Sequence, residues 1–298
     1  MLISFLLWHA DIAQVINNAG QAMNPRMIYV IAILVVTTLV GAFNAYLFIG
    51  WQRNIKFRSF LTVYWLTWAW GLVIPGQIGD ILSGSLLMQK FQLAKSTTVG
   101  RYGLDKVVSL VMTLVVGIGG ITYLFGRNYW EWNVGAVAGI IVVIITAAFL
   151  GNYLVTKIQF TPGSLGQRAQ DAFKNSANEF TGILIQAPQR VLLNVLLTLI
   201  KILLTGLAYW ITLNLMGETE LPFIAVTSIA MAAGLIAYLP ITVNGLGTVE
   251  FVAIGLFAGL GAESATVLTA YLVLRLTVLI LAWLPAMFIM MYQKKSYS

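Results

Sequence analysis

Long apolar runs constrain this chain more than any other feature. Residues 27–50, 107–125, 134–156, 191–215 and 264–292 each meet or approach the length of a bilayer span. Crossing about 30 Å of hydrocarbon takes roughly 20 apolar residues, with tilt absorbing the difference. The composition agrees, at 59% hydrophobic and only 9% charged residues. The chain is therefore expected to be all-α, a polytopic membrane helical bundle. It holds no cysteine, which excludes disulfides and thiolate metal sites. A net charge of +7 would suggest a nucleic-acid partner in a soluble protein. Here the basic residues flank the apolar runs, which points to membrane orientation and to no nucleic acid.

Two short segments interrupt the apolar pattern. Pro75-Gly76-Gln77-Ile78-Gly79-Asp80 and Pro240-Ile241-Thr242-Val243-Asn244-Gly245-Leu246-Gly247-Thr248-Val249-Glu250 each combine helix breakers with one carboxylate. Pro75, Gly76 and Gly79 break the first stretch; Pro240, Gly245 and Gly247 break the second. Non-helical backbone at membrane depth is tolerated only where it is buried in protein or lines a wet cavity. Paired interruptions at corresponding places in two halves point to a transport site. The limbs around the first break, 59–74 and 80–91, are only about 18–24 Å long at 1.5 Å per residue. Such lengths predict re-entrant helical hairpins rather than full crossings.

Loop charge supplies an orientation. Arg53, Lys56, Arg58, Lys90, Lys95, Lys157, Arg168, Lys174, Arg190, Lys294 and Lys295 fall in one set of connections. Glu218 and Glu220 lie in an opposite connection without Lys or Arg. The positive-inside rule puts the first set, with the C-terminus, in the cytoplasm. Each half then reads span, hairpin, span in opposite directions, an inverted repeat in a single membrane domain, 1–298. The first repeat is about 27–125 and the second about 190–292, with 133–156 as the linking span. Pro162-Gly163-Ser164 predicts a turn and helix cap. Beyond it, Leu165, Ala169, Ala172, Phe173, Phe180, Leu184 and Ala187 predict an amphipathic cytoplasmic helix over 164–187. That helix would lie on the membrane surface or against the bundle. Residues 1–8 are too short to span and make a poor signal peptide; the tail of a span or an interfacial anchor fits them.

Ionisable residues at membrane depth are costly, about 2.5–3.5 kcal/mol each on insertion scales, and so mark candidate sites. Here they are Asp80, Arg101, Asp105, Lys106, Lys201, Glu250 and Arg275, with Asn244 at the second break. Simpler roles exist for several. Asp80 and Glu250 suit helix caps, Arg101 and Lys106 suit snorkelling, and Arg275 suits pairing with Glu250. Tyr64, Trp65, Trp68 and Trp70 crowd the limb before Pro75, either to stack on a sugar face or to pack a tight bend. Gly117–Gly120 fits close helix packing. The lone His9 carries no signal, and no metal-ligand cluster, nucleotide loop or nucleophile triad is visible.

Taken in order, Pro75 to Asp80, Arg101 to Asp105, Asn244 to Glu250, and Tyr271-x-x-x-Arg275 form a set. With this set the chain resembles the transmembrane (flippase) domain of the lysylphosphatidylglycerol synthase family. The resemblance implies an integral helical fold in the cytoplasmic membrane and movement of a lipid between leaflets. In two-part members a soluble domain makes the lipid. No such domain is visible here, so an enzyme is not expected, nor a cofactor. Ser83 and Val249 stand where the family carries arginines, and the arginine of the middle motif is shifted to Arg101. The acids Asp80, Asp105 and Glu250 would suit a cationic headgroup, and Arg101, Lys106, Lys201 and Arg275 a phosphate. The expected function is a lipid translocase moving a polar-headed lipid, such as an aminoacylated phospholipid or a polyprenyl or glycolipid. The alternative is a non-transporting subunit or scaffold of an envelope-lipid or glycosylation enzyme. A transferase using Asp80, Asp105 and Glu250 as acid–base groups is the third reading. A homo-oligomer and a glycosyltransferase partner stay open.

Overall fold

Ten α-helices, two three-residue 3-10 turns (Ile236–Tyr238 and Val243–Gly245) and no strand occur among the described residues of the computed structural model, which are 12–21, 24–50, 54–74, 78–126, 165–238 and 242–295. The expected linking span 133–156, the turn at Pro162–Ser164, residues 1–8, and the breakers Pro75, Gly76 and Pro240 lie outside them. In chain order the helices are α1 (Ile12–Gly20), α2 (Met27–Ile49), α3 (Phe57–Gly71), α4 (Ile78–Phe91) and α5 (Lys95–Phe125). They continue as α6 (Leu165–Gln186), α7 (Pro188–Leu215), α8 (Phe223–Leu235), α9 (Thr248–Ala258) and α10 (Ser264–Lys295).

Length sorts these helices into two kinds. Met27–Ile49, Ser96–Phe125, Pro188–Leu215 and Ser264–Tyr292 are long and apolar enough to cross a membrane. Their outward faces are apolar as well: Leu276, Ile280, Leu284 and Phe288 form an exposed stripe along α10. Only a hydrocarbon solvent makes such a stripe stable rather than sticky. The other kind is short. α3 and α4 have 15 and 14 residues, and α8 and α9 have 13 and 11. At 1.5 Å per residue each reaches roughly 16–23 Å, less than the hydrocarbon thickness. Long, short, short, long is thus the order of α2 to α5, and again of α7 to α10.

Packing follows the same order. α2 packs on α7, the first helix of each set of four. α5 packs on α8, as α10 packs on α3; α3 packs on α4, as α8 packs on α9; α2 packs on α5, as α7 packs on α10. Small residues permit the closest of these approaches. A Cβ on Gly117 of α5 would stand 2.8 Å from the Ala232 nitrogen of α8, so only glycine lets the two backbones meet there. On the α10–α3 side, Ala69, Ala282 and Ala286 form the contact, and the Trp65 indole donates to the Ala282 carbonyl at 3.2 Å.

α6 is amphipathic, as its spacing predicts, and it packs against α5. Phe180, Ile183 and Ala187 meet Phe48 and Leu104 of the bundle. Leu184 and Ile185 point away and are exposed. Arg101 of α5 reaches Glu179 of α6, with Nε–Oε2 at 2.8 Å and Nη2–Oε2 at 2.7 Å.

A buried ion pair at a broken helix

Between α8 and α9 the chain stops being helical, and the sequence shows why. Asn244, Gly245 and Gly247 adopt φ of 47°, 71° and 86°. Gly245 has a steric need as well as a conformational one. A Cβ there would stand 2.5 Å from Val249 Cγ2 and 3.0 Å from Ala237 Cβ. Breaking the helix frees main-chain groups that must find partners at this depth. Two charged side chains supply them. The Glu250 carboxylate reaches back to accept the Gly247 N–H at 2.6 Å, and Arg275 Nη1 donates to the Asn244 carbonyl at 3.0 Å.

The same two residues bind each other. Arg275 Nε lies 2.9 Å from Glu250 Oε1, and Nη2 lies 2.8 Å from the same oxygen. The Glu250 side chain has no exposure and Arg275 keeps 19%. Glu250 is thus a helix cap and an ion-pair partner at once. An isolated carboxylate here would carry a heavy desolvation cost, and the guanidinium offsets it. Val249, at the position where the resemblance leads one to expect arginine, is 6% exposed and packs in the core.

This pair faces a cavity of about 610 Å³. Its walls come from α2 (Leu34, Thr37, Thr38, Gly41), α3 and the turn after it (Tyr64, Trp68, Leu72, Val73), and α7 (Lys201, Thr205, Ala208, Tyr209). The break contributes Val243, Asn244, Leu246, Val249 and Glu250, and α10 contributes Tyr271, Leu274 and Arg275. The chamber is mostly apolar, with charge gathered at the break and at Lys201. Tyr271 packs against Tyr209, ring centroids 4.6 Å apart, and its buried hydroxyl has no hydrogen-bond partner. Gly41 keeps the chamber open, since a Cβ there would meet the Tyr64 hydroxyl at 2.9 Å and the Lys201 stem at 3.8 Å.

The structure therefore divides the sequence-derived candidates. Lys201, Asn244, Glu250 and Arg275 share one chamber. Arg101, Asp105 and Lys106 do not line it. Arg101 binds Glu179, Lys106 lies 4.9 Å from the Tyr102 ring centroid, and Asp105 faces Asn194 of α7. Arg101 thus faces α6 and Asp105 faces α7, while Lys106 lies over Tyr102, which packs with α2, α3 and α4; the spacing of the motif alone does not reveal this. Asp80 and Gly79 stand in the first turn of α4; the Asp80 side chain lies outside the described residues. The aromatic cluster divides too. Trp65 and Trp70 serve packing, against Ala282 and against Trp283 at 5.1 Å, while Tyr64 and Trp68 line the chamber. Sequence reasoning missed Thr37, Thr38, Thr205 and Tyr209. Their signal was faint: two adjacent threonines on apolar α2, and Thr205 and Tyr209 one turn apart on apolar α7.

Four long apolar helices and a charged chamber between broken ones define a polytopic helical membrane protein. The chain belongs to the family described as the lysylphosphatidylglycerol synthase TM region, whose family model matches residues 1–286. It is therefore an integral membrane protein of a lipid-handling family. No curated protein and no solved structure matches it.

Proposed function

We propose that the protein moves a polar-headed lipid between leaflets, with the headgroup passing through the chamber beside Glu250 and Arg275. One observation carries this reading: a lipid-family membrane chain holds a buried ion pair and an unsatisfied Tyr271 hydroxyl in the wall of a mostly apolar cavity. Structural capping accounts for Glu250, but not for the space of about 610 Å³ in front of it. A polar head would find donors at Lys201 and Arg275 and ring faces at Tyr64 and Trp68, with the Glu250 carboxylate and the Tyr271 hydroxyl buried behind them. The tails would stay in the bilayer, so the polar group avoids hydrocarbon without the protein enclosing the chains.

The mechanism we infer is alternating access between two inverted repeats, 27–125 and 190–292. It is supported by the repeated order of helix lengths and by the matched packing of α5 on α8 with α10 on α3. In this reading the α3–α4 and α8–α9 pairs are re-entrant hairpins that dip from opposite faces. Rocking one repeat against the other about the α2–α7 contact would expose the chamber to each leaflet in turn. In this reading the protein sits in the cytoplasmic membrane, and the loop charges favour a C-terminus on the cytoplasmic side.

The test is reconstitution. Purified protein goes into liposomes carrying NBD-labelled phosphatidylglycerol, its lysyl ester or a polyprenyl-linked sugar. Faster loss of fluorescence to external dithionite than in protein-free liposomes is expected for at least one probe. Rates equal to protein-free liposomes for every probe would overturn the reading in favour of a scaffold.

A further inference from the structure

A second polar cluster lies one helical turn from the chamber, where α2, α5 and α7 meet, and the chamber does not use it. Asp105 is 6% exposed, and among the described residues its hydrogen-bond partner is the neutral Nδ2 of Asn194 at 2.9 Å. That nitrogen also reaches the Asn44 carbonyl at 3.4 Å, while Asn44 Nδ2 donates to Thr198 Oγ1 at 2.8 Å. Both hydrogens of Asn194 Nδ2 are thus engaged, and one of the two on Asn44 Nδ2. Three oxygens remain: Asn44 Oδ1, Asn194 Oδ1 and Ser109 Oγ are buried without a hydrogen-bond partner. Ser109 follows Asp105 by four residues, so both sit on one face of α5. Asn44 and Asn194 are 1% and 0% exposed.

A clasp between helices would explain the nitrogens. It does not explain three orphaned oxygens beside a buried carboxylate, each of which costs free energy when left unmade. The nearest basic residues on α5 are engaged elsewhere, Arg101 with Glu179 and Lys106 over Tyr102. One kind of guest suits these oxygens together, a small hard cation, which prefers oxygen ligands. A single carboxylate among neutral oxygens matches a single positive charge. No group of three His, Cys, Asp or Glu occurs among the described residues, which disfavours a transition metal.

We propose that Asp105, Asn44, Asn194 and Ser109, with Thr198 beside them, bind a small monovalent cation of the sodium class. Thr198 lies three residues before Lys201 on α7, and Asn44 three after Gly41 on α2. Lys201 and Gly41 both line the chamber. A cation held here would act on the Lys201 end of the chamber across one helical turn. Coupling of the cation to lipid movement rests on the translocase reading; binding of the cation does not.

The experiment is thermal unfolding of the full chain in detergent, in chloride salts of sodium, lithium, potassium or N-methylglucamine at equal ionic strength. A ligand of the native state raises its melting temperature with concentration. Sodium is expected to raise it by several degrees over N-methylglucamine, saturably. Ser109→Ala should shift half-saturation several-fold upward, and Asp105→Asn should abolish the response while keeping a monodisperse protein. Identical melting in all four salts, or a wild-type response in Asp105→Asn, would overturn the proposal. If Asp105→Asn fails to fold, equilibrium binding of radioactive sodium to the wild type decides, and absence of saturable binding overturns it. Lipid flipping is not part of the readout, so this result and the translocase test fail independently.

Discussion

Two glutamate–arginine pairs in this molecule have similar bond lengths and different work. Glu250–Arg275 is sealed, with no exposure at the carboxylate, and each partner also holds a main-chain group released by the broken helix. Glu179–Arg101 joins α6 to α5 with 28% of the glutamate side chain open to its surroundings. It holds no broken backbone; Glu179 also accepts from Thr97 at 3.0 Å, and Arg101 reaches the Phe48 carbonyl only at 3.4 Å. Charge–charge distance therefore says little about function. What separates the pairs is the environment, and whether the backbone depends on them.

Arg275→Ala should widen the contrast most. It strands Glu250 without its cation and orphans the Asn244 carbonyl, so a loss of about 3–5 kcal/mol is expected. Thermal unfolding followed by tryptophan fluorescence would read it, and adding Glu250→Gln to Arg275→Met should recover a large part. Gly245→Ala comes next. A positive φ and the approach to Val249 together predict a loss of about 1–3 kcal/mol, checked by the same melt. Glu179→Gln should be mildest, below about 1 kcal/mol and smaller still in high salt, because its partner pair is screened. If Glu179→Gln and Arg275→Ala destabilise equally, burial is not what distinguishes the two pairs.

Much of this arrangement was legible in the residues, for identifiable reasons. Span lengths follow from apolar runs, and the observed α2, α7 and α10 agree with those expectations within three residues at their ends, whereas α5 begins at Lys95, twelve residues ahead of the expected run 107–125. The second break was legible because Asn244, Gly245 and Gly247 are the residue types that tolerate positive φ. Pairing of Arg275 with Glu250 followed from the cost of leaving either alone. Asp105 was harder. The resemblance grouped it with Asp80 and Glu250 as acids for a headgroup, but the rotation of α5 about its axis decides which neighbour it meets, and periodicity in a nearly all-apolar helix does not fix that rotation. A signal for its true surroundings was present in Asn44 and Asn194, each an amide inside a strongly apolar span. Arg101 was legible as a charge near a helix start, but its partner Glu179 lies 78 residues away on α6. Only the folded return of that helix brings them together.

Whether the chamber carries a headgroup is tested most directly by filling it without touching its charges. Thr38 lines the chamber, and its hydroxyl bonds only the Leu34 carbonyl of its own helix, at 2.9 Å. Thr38→Trp should therefore occupy space needed by the headgroup while leaving Glu250, Arg275 and Lys201 in place. In liposomes carrying the probe lipid that the wild type moves, a monodisperse Thr38→Trp protein with near-wild-type melting should move it at least about tenfold more slowly, equivalent to about 1.4 kcal/mol in the barrier. The wild-type rate in that protein would contradict a path through the chamber.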